Sequence, residues 1–247
     1  MSGSQRSCTH HEGAPAVAVC TKCCADICGE CHSADLRGLA ICQSCQLALS
    51  PPSIPWETAS SGPTLNGFIQ TTVAALSAPR SFFLRYAPQD HWGLAAIFGI
   101  FCVTLGTFIS TFWQRLFNAE YGERFLQYHE QFGLSPQFAE LLLFASIPLG
   151  AVILYFVHTG LLYLALRAIQ VESATWSLVA RITGYSLAAY LLMVFPPIAE
   201  FSLGHFLMVL WLFNLEVSAV RWFFGIGFWR SMGIVLLPFM VFLFAIA

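Results

Sequence analysis

Five long apolar segments limit what this chain can fold into more than any other feature of its sequence. Each is close to the ~20 residues that an α-helix needs to cross a hydrocarbon core about 30 Å thick. Because lipid offers no water to backbone N–H and C=O groups, such segments are expected to be helical. The sequence therefore predicts an all-α multi-span membrane domain with five transmembrane helices, at 92–113, 139–166, 176–198, 202–224 and 231–247.

The composition supports a membrane protein and argues against a soluble enzyme. Hydrophobic residues make up 57% of the 247 residues and charged residues only 10%, whereas soluble domains carry about 25% charged residues. The net charge of −2 offers no basic surface, so no nucleic-acid partner is expected. The sequence also lacks a nucleophile paired with a base, a glycine-rich phosphate loop and an HExxH motif. We therefore expect a protein that has no catalytic residues and that has the lipid bilayer as a partner.

Eight of the nine cysteines lie in the first 45 residues, and seven of these form four ligand pairs together with one histidine. A gap of two residues lets both donors of a tight turn face one tetrahedral ion, so eight ligands suffice for two closed zinc sites. We expect a small double zinc-binding module over residues 1–46, with two structural zinc ions. The pairs are Cys8 and His11, Cys20 and Cys23, Cys28 and Cys31, and Cys42 and Cys45.

Spacing leaves open which pairs share an ion. Only four residues separate Cys23 from Cys28, and neighbouring pairs this close often serve different ions in a cross-brace. The cross-brace is favoured, with sequential pairing as the alternative. It assigns the first and third pairs to one ion, and the second and fourth pairs to the other.

Two segments join the module to the membrane domain. Residues 47–66 contain four prolines and are expected to form an extended linker. Its one aromatic residue, Trp56, is either a small docking point or a linker residue without a special role. Residues 67–84 combine basic and aromatic side chains, which favours interfacial helices at the headgroups. A helix packed on the membrane domain is the alternative.

Four polar residues fall inside the apolar segments, where such groups are costly and often functional. His158, Arg181, Asn214 and Glu216 lie at similar depths on three predicted helices. We expect them to form one layer in which Arg181 pairs with Glu216. A self-satisfied network that fixes helix packing is favoured, and a cavity for a proton, ion or headgroup is the alternative.

Small residues form faces on two predicted helices, and such faces let helices approach closely. Gly99 and Gly106 share a face of the first span, while Ala180, Gly184 and Ala188 share one on the third. We expect these faces to pack against other helices of the same chain. A homo-oligomer is the alternative use.

Charge and redox chemistry predict the same orientation. Thiols that bind metal belong in a reducing cytoplasm, and arginine is enriched in the loops that this orientation makes cytoplasmic. The N-terminus is therefore expected in the cytoplasm. Four spans with a re-entrant last segment are the alternative to five. The cytoplasmic arginines would be Arg80, Arg85, Arg167, Arg221 and Arg230.

The segment from Cys8 to Cys45 resembles a B-box-type zinc finger. The first six ligands follow the order of that family, whereas its last pair is often histidine and here is Cys42 and Cys45. B-box modules generally bind proteins, so the resemblance implies a cytoplasmic protein partner.

Residues 67–247 resemble the Yip family (Ypt-interacting proteins). The similarity rests on 72–83, on the five apolar segments, and on 211–221 followed by 231–238. A B-box-like start joined to this domain looks like the bacterial arrangement, which implies the inner membrane. The expected function is a membrane adaptor that docks a protein partner and anchors it, with a transporter of a small solute, ion or lipid as the alternative.

Overall fold

The computed structural model describes a chain of two compact units, Met1–Ser53 and Ile54–Ala247. The division falls inside the predicted linker and assigns its last part to the second unit. The described residues are 7–9, 11, 13–21, 23–34, 40–42, 45, 54–57, 63–84, 92–117, 133–197 and 202–246.

The first unit is built from two short antiparallel ladders. Strand β1 (Ala18–Val19) pairs with β2 (Asp26–Ile27), and β3 (His32–Ala34) pairs with β4 (Ala40–Cys42). Among the residues described in this unit, the buried core holds two aliphatic side chains of any size, Ile27 and Ile41, and is otherwise lined by cysteines. A core this small cannot hold a fold by apolar burial alone, which points to bound metal as the main source of stability.

In the second unit, all secondary structure of the described residues is helical, and turns join the helices. A short 3₁₀ turn, Pro55–Glu57, precedes the helices, and a longer 3₁₀ stretch, Leu187–Val194, continues the fifth of them. The side chains of Thr64, Ser135 and Thr175 cap three helices by accepting a backbone N–H. The helices are α1 (Leu65–Ser77), α2 (Pro79–Leu84), α3 (Gly93–Phe117), α4 (Pro136–Ala168), α5 (Trp176–Ser186), α6 (Leu203–Phe224) and α7 (Phe228–Ile246).

Four segments of the described chain are long and apolar enough to cross a membrane, which supports a multi-span membrane protein. The five-span count is not confirmed, because the apolar part described for the last helix, Phe228–Met240, is shorter than a span. The four segments are Gly93–Phe117, Gln137–Ala168, Trp176–Val194 and Leu203–Phe224.

The third segment, Trp176–Val194, lies at the centre of the bundle. In its most apolar part 72% of the residues are buried, whereas in the most apolar part of Gln137–Ala168 only 17% are buried. Since the 3₁₀ stretch rises about 2 Å per residue rather than 1.5 Å, the 19 residues extend about 32 Å, enough for the hydrocarbon core.

Close packing of α5 on α3 depends on the predicted small-residue faces. A Cβ added to Gly99 would lie 2.6 Å from the carbonyl oxygen of Gly184, and one added to Gly184 would collide with the carbonyl oxygen of Ala95. A Cβ on Gly106 would collide with the backbone of Tyr190. The expectation that these faces pack within the chain is confirmed for Gly99, Gly106 and Gly184.

Residues 54–57 depart from the prediction of an extended linker. Trp56 is buried, with its ring against Phe68 of α1 and Phe98 of α3. Its indole Nε1 donates to the carbonyl oxygen of Leu94 at 2.8 Å, and its backbone N donates to Thr71 Oγ1 at 3.0 Å. Of the two interpretations of Trp56, the docking point is therefore the one that the structure supports.

The positions of α1 and α2 support parts of both interpretations of residues 67–84, the helix packed on the membrane domain and the interfacial helix. Phe68 is buried in the core, and Phe83 of α2 is fully buried with its ring 6.2 Å from that of Phe223 on α6. By contrast, Ile69 and Val73 on α1 are about half exposed. Both helices thus pack on the domain, and α1 also keeps an apolar face that suits the edge of a bilayer.

Candidate metal centres and buried ion pairs

The first candidate metal centre brings together Cys8, His11, Cys28 and Cys31. All four ligand atoms lie within 4.8 Å of one another. His11 Nδ1 lies 3.3 Å from Cys28 Sγ and 3.4 Å from Cys31 Sγ, and Cys8 Sγ lies 3.9 Å from Cys31 Sγ. The turn from Cys28 to Cys31 is closed by a backbone hydrogen bond of 3.1 Å, so the two-residue gap forms the expected tight turn.

The second candidate centre brings together Cys20, Cys23, Cys42 and Cys45, again within 4.8 Å. Cys23 Sγ lies 3.7 Å from Cys42 Sγ. The backbone N of Cys42 donates to Cys20 Sγ at 3.3 Å, and the backbone N of Cys45 donates to Cys42 Sγ at 3.3 Å. Such N–H···S bonds orient metal-bound sulfurs and stabilise their negative charge.

These two groups are the ligand sets of the cross-brace, and the sequential alternative is not what the structure forms. The sequence left that choice open because it rests on how the ladders fold. Strand β4 ends at Cys42 and pairs with β3, which begins at His32, directly after Cys31. The register places Cys42 opposite His32, and the fold brings Cys42 to Cys20 and Cys23 rather than to Cys31.

The spacing of the ligand atoms fits a tetrahedral zinc ion. With Zn–S bonds of about 2.3 Å and Zn–N bonds of about 2.05 Å, tetrahedral geometry separates two sulfurs by about 3.8 Å and a sulfur from a nitrogen by about 3.6 Å. The measured S···S distances of 3.9 and 3.7 Å and the N···S distances of 3.3 and 3.4 Å lie close to these values. Each centre could therefore hold one metal ion, with four protein ligands.

One thiol in each centre has a pKa well above its ordinary value. Burial and the neighbouring thiols Cys8 and Cys28 raise the pKa of Cys31 to about 12. Hydrogen bonds with Cys42 and Cys23, together with burial, raise the pKa of Cys45 to about 12. Cys28 differs, since a backbone hydrogen bond from Cys31 lowers its pKa. A divalent cation would favour the thiolate at every ligand, since a coordinated thiol is deprotonated outright.

The buried polar residues of the second unit form two ion pairs instead of one layer. His158 Nε2 lies 2.7 Å from Glu216 Oε1, and both side chains are buried. Glu216 Oε2 has no hydrogen-bond partner among the residues that the structure describes. The expected proximity of His158 and Glu216 is thus confirmed, but Glu216 is not the partner of Arg181.

Arg181 pairs with Glu57, a residue of the predicted linker that sequence reasoning did not single out. Arg181 Nη2 donates to Glu57 Oε2 at 2.8 Å, and the Tyr185 hydroxyl donates to Glu57 Oε1 at 2.5 Å. The side chains of Arg181 and Glu57 are 1% and 6% exposed. The predicted Arg181–Glu216 pair is wrong because the turn at Pro55–Glu57 enters the helical core and supplies a nearer carboxylate.

Asn214 does not belong to the layer. It is exposed at the surface of α6, whereas Leu215 and Glu216 are buried. Residues 214 and 216 are two positions apart on a helix, which places their side chains on different faces. Similar depth along the bundle axis was the only ground for grouping them, and it does not determine the direction of a side chain.

A small cavity lies beside the His158–Glu216 pair. Its volume is about 70 Å³, and His158 and Tyr190 are its polar lining residues, among apolar side chains such as Leu187, Met208 and Phe239. A water molecule needs at least about 10–15 Å³ of such space. The cavity therefore has room for several waters next to the histidine.

No family model, no curated protein and no solved structure matches the chain.

Proposed function

We propose that the protein is a non-enzymatic membrane adaptor, with a cytoplasmic zinc module that docks a protein partner and a helical domain that anchors it. One observation carries the proposal: each metal centre is made of four protein ligands. A tetrahedral site with four protein ligands has no position for water or substrate, so its role is structural. A metal-stabilised module without a reaction centre is suited to presenting a surface.

Exposed apolar side chains next to the ladders are where docking would occur. Val17 is 63% exposed and Val19 is 43% exposed, although β1 itself is held by its pairing with β2. The two valines are two positions apart on an extended segment and so lie on one face, where a partner could cover both. The resemblance to B-box modules, which generally bind proteins, favours the same conclusion.

The proposed setting is a bacterial inner membrane with the N-terminus in the cytoplasm. Reporter fusions to the full chain test this orientation: an N-terminal green fluorescent protein should fluoresce, and an N-terminal alkaline phosphatase should be inactive. Fusions at the C-terminus separate the two span counts, because five spans place that end outside and four spans leave it inside. An active N-terminal phosphatase would contradict the orientation.

Site-specific photo-crosslinking in cells tests docking. A photoreactive residue at Val17 or Val19 of the full chain should give one discrete protein adduct, and Cys28→Ser should abolish it by removing a metal ligand. The matched control is Leu141, which is 64% exposed on α4 and should give no such adduct. Absence of a discrete adduct at both valines in metal-loaded protein would contradict the proposal.

A second function, transport of a small solute, ion or lipid, is favoured by a different observation. Glu216 Oε2 is buried without a hydrogen-bond partner in the described part of the chain, and the neighbouring cavity reaches His158. Buried carboxylate and histidine side chains recur in proton and ion pathways. Proteoliposomes loaded with a pH dye test this: a proton leak that Glu216→Gln abolishes and Glu140→Gln leaves unchanged would favour transport. Equal proton leakage through wild type and the two variants would contradict transport and favour the adaptor function.

A further inference from the structure

A second, larger pocket opens where helix α6 ends and α7 begins. Its volume is about 310 Å³, at the lower end of the about 300–1,000 Å³ that small-molecule sites occupy. Arg80 of α2 and Arg221 of α6 both line it, together with Ser218, Trp222 and the turn Gly225–Gly227. It is separate from the buried ion pairs described above, whose residues do not line it.

Helix packing explains why two arginines meet at this pocket. Phe83 of α2 is fully buried and contacts the ring of Phe223 on α6. Arg80 precedes Phe83 by one helical turn, and Arg221 precedes Phe223 by two residues. Anchoring α2 on α6 through the two phenylalanines therefore places the two guanidinium groups beside one opening.

The elements around the pocket supply almost no negative charge to offset the two arginines. Residues 63–84 contain no acidic side chain, and residues 201–247 contain only Glu216. Glu216 is fully buried and paired with His158. Two positive charges that border one opening attract an anion, and no exposed carboxylate of these two ranges competes for them.

Helix α7 begins directly beside the same opening. Gly225 has φ +62°, which ends α6 in a left-handed conformation, and α7 begins at Phe228 directly after Gly227, which lines the pocket. Because Gly227 has no side chain, it cannot cap the first N–H groups of α7. The positive end of the α7 dipole favours a phosphate at this position.

The residues around the pocket are those expected at the interface between the lipid and water. Arg221 lies in the last turn of an apolar span, and its guanidinium lies 5.4 Å from the ring centre of Phe228. Trp222 is 39% exposed and Trp229 is 75% exposed. Exposed tryptophans next to arginine at the end of an apolar helix are typical of the headgroup level of a membrane.

We propose that this pocket binds the phosphate of an anionic phospholipid headgroup. The arginines contact the phosphate oxygens, the turn Gly225–Gly227 donates backbone N–H groups, and Trp222 and the apolar helix surfaces lie along the acyl chains. The inference goes beyond the adaptor function and does not depend on it, since it needs only that α6 and α7 are embedded in a membrane.

Native mass spectrometry of the full chain with added phosphatidylglycerol or phosphatidylcholine tests the proposal. Wild type should retain phosphatidylglycerol in preference to phosphatidylcholine. We expect Arg80→Gln and Arg221→Gln each to weaken retention of phosphatidylglycerol about fivefold, and the double variant about twentyfold or more. Both side chains are exposed, so the single variants should keep the thermal stability of wild type.

The matched control is Arg230→Gln, which removes an exposed arginine of α7 that does not line the pocket. It should change retention by less than about twofold if the pocket, and not general surface charge, is responsible. Equal weakening by all three single variants, or no weakening by the pocket variants, would overturn the proposal.

Competition separates a lipid from free phosphate as the ligand. Short-chain phosphatidylglycerol should displace the retained lipid, and inorganic phosphate at the same concentration should not. Displacement by inorganic phosphate to the same extent would overturn the assignment to a lipid headgroup.

Discussion

Glu57 and Arg181, which are 124 residues apart in the chain, form a buried ion pair with 2.8 Å between Oε2 and Nη2. The pair fixes the turn Pro55–Glu57 to the most buried segment of the bundle. With Trp56 packed beside it, this turn makes the last part of the predicted linker an integral piece of the helical unit. Tyr185 completes the site by donating its hydroxyl to the same carboxylate.

Removing the carboxylate of Glu57 should destabilise the helical unit strongly. Glu57→Gln removes a carboxylate that is paired with a buried guanidinium, and breaking a buried ion pair typically costs about 3–5 kcal/mol. The shift in the denaturation midpoint of the purified protein in detergent measures this cost.

The exposed pair Arg115–Glu140 provides the matched control for Glu57. Its side chains are 33% and 42% exposed, and pairs of this kind contribute about 0–1 kcal/mol. Glu140→Gln should therefore leave the midpoint nearly unchanged, and an equal shift in the two variants would contradict a special role for Glu57.

Metal analysis should give two zinc ions per chain, one for each centre. Cys23→Ser should lower the count to one, because it removes a ligand of the second centre only. Cys24→Ser is the control: Cys24 is the next residue, is exposed and belongs to neither ligand set. A loss of zinc from Cys24→Ser, or a count of one in wild type, would refute the assignment.

Chelation should expose the thiols of both centres together with the unfolding of the first unit. In metal-loaded protein, iodoacetamide should modify Cys24, since the other cysteines are ligands of the two centres or, like Cys102, buried in the helical unit. After EDTA treatment the seven ligand cysteines should react as well, because so small a core depends on its metal. Mass spectrometry counts the adducts, and unchanged labelling after EDTA would show that no metal protects the thiols.

A methyl group at Gly184 should disturb the contact between α3 and α5. Its Cβ would collide with the carbonyl oxygen of Ala95, and overpacking of this kind costs about 1–3 kcal/mol. Gly150→Ala on α4 is the control, since nothing lies within 4 Å of its added Cβ and alanine is the better helix former. Thermal denaturation in detergent should show a lower midpoint for Gly184→Ala alone, and equal midpoints would contradict the close approach.

Much of the candidate site could be predicted from spacing. Four pairs with two-residue gaps identified the eight residues of the two candidate metal centres, because a tight turn brings its two donors together wherever it lies in the fold. The small-residue faces at Gly99, Gly106 and Gly184 were predictable for a similar reason, since helical periodicity alone puts small residues on one side of a helix.

The buried polar groups were predicted only in part. Depth along a span follows from residue count, so the proximity of His158 and Glu216 was expected and is found at 2.7 Å. The partner of Arg181 was not predictable, because Glu57 enters the core from a proline-rich segment with no helical periodicity. The sequence signal that was available, the single aromatic residue Trp56 beside Glu57, left open whether this segment docks on the helices or is part of a linker.

The sequence by itself predicted four apolar helices long enough to span a membrane and the residues of the two candidate metal centres, because both depend on local composition and spacing along a continuous chain. The tertiary structure decided which ligands share an ion, which carboxylate neutralises Arg181, and that Arg80 and Arg221 border one pocket. Each of these joins residues far apart in the chain, and only the packing of strands and helices sets their separation and direction. A pattern along one segment contains no information about the face that another segment presents to it.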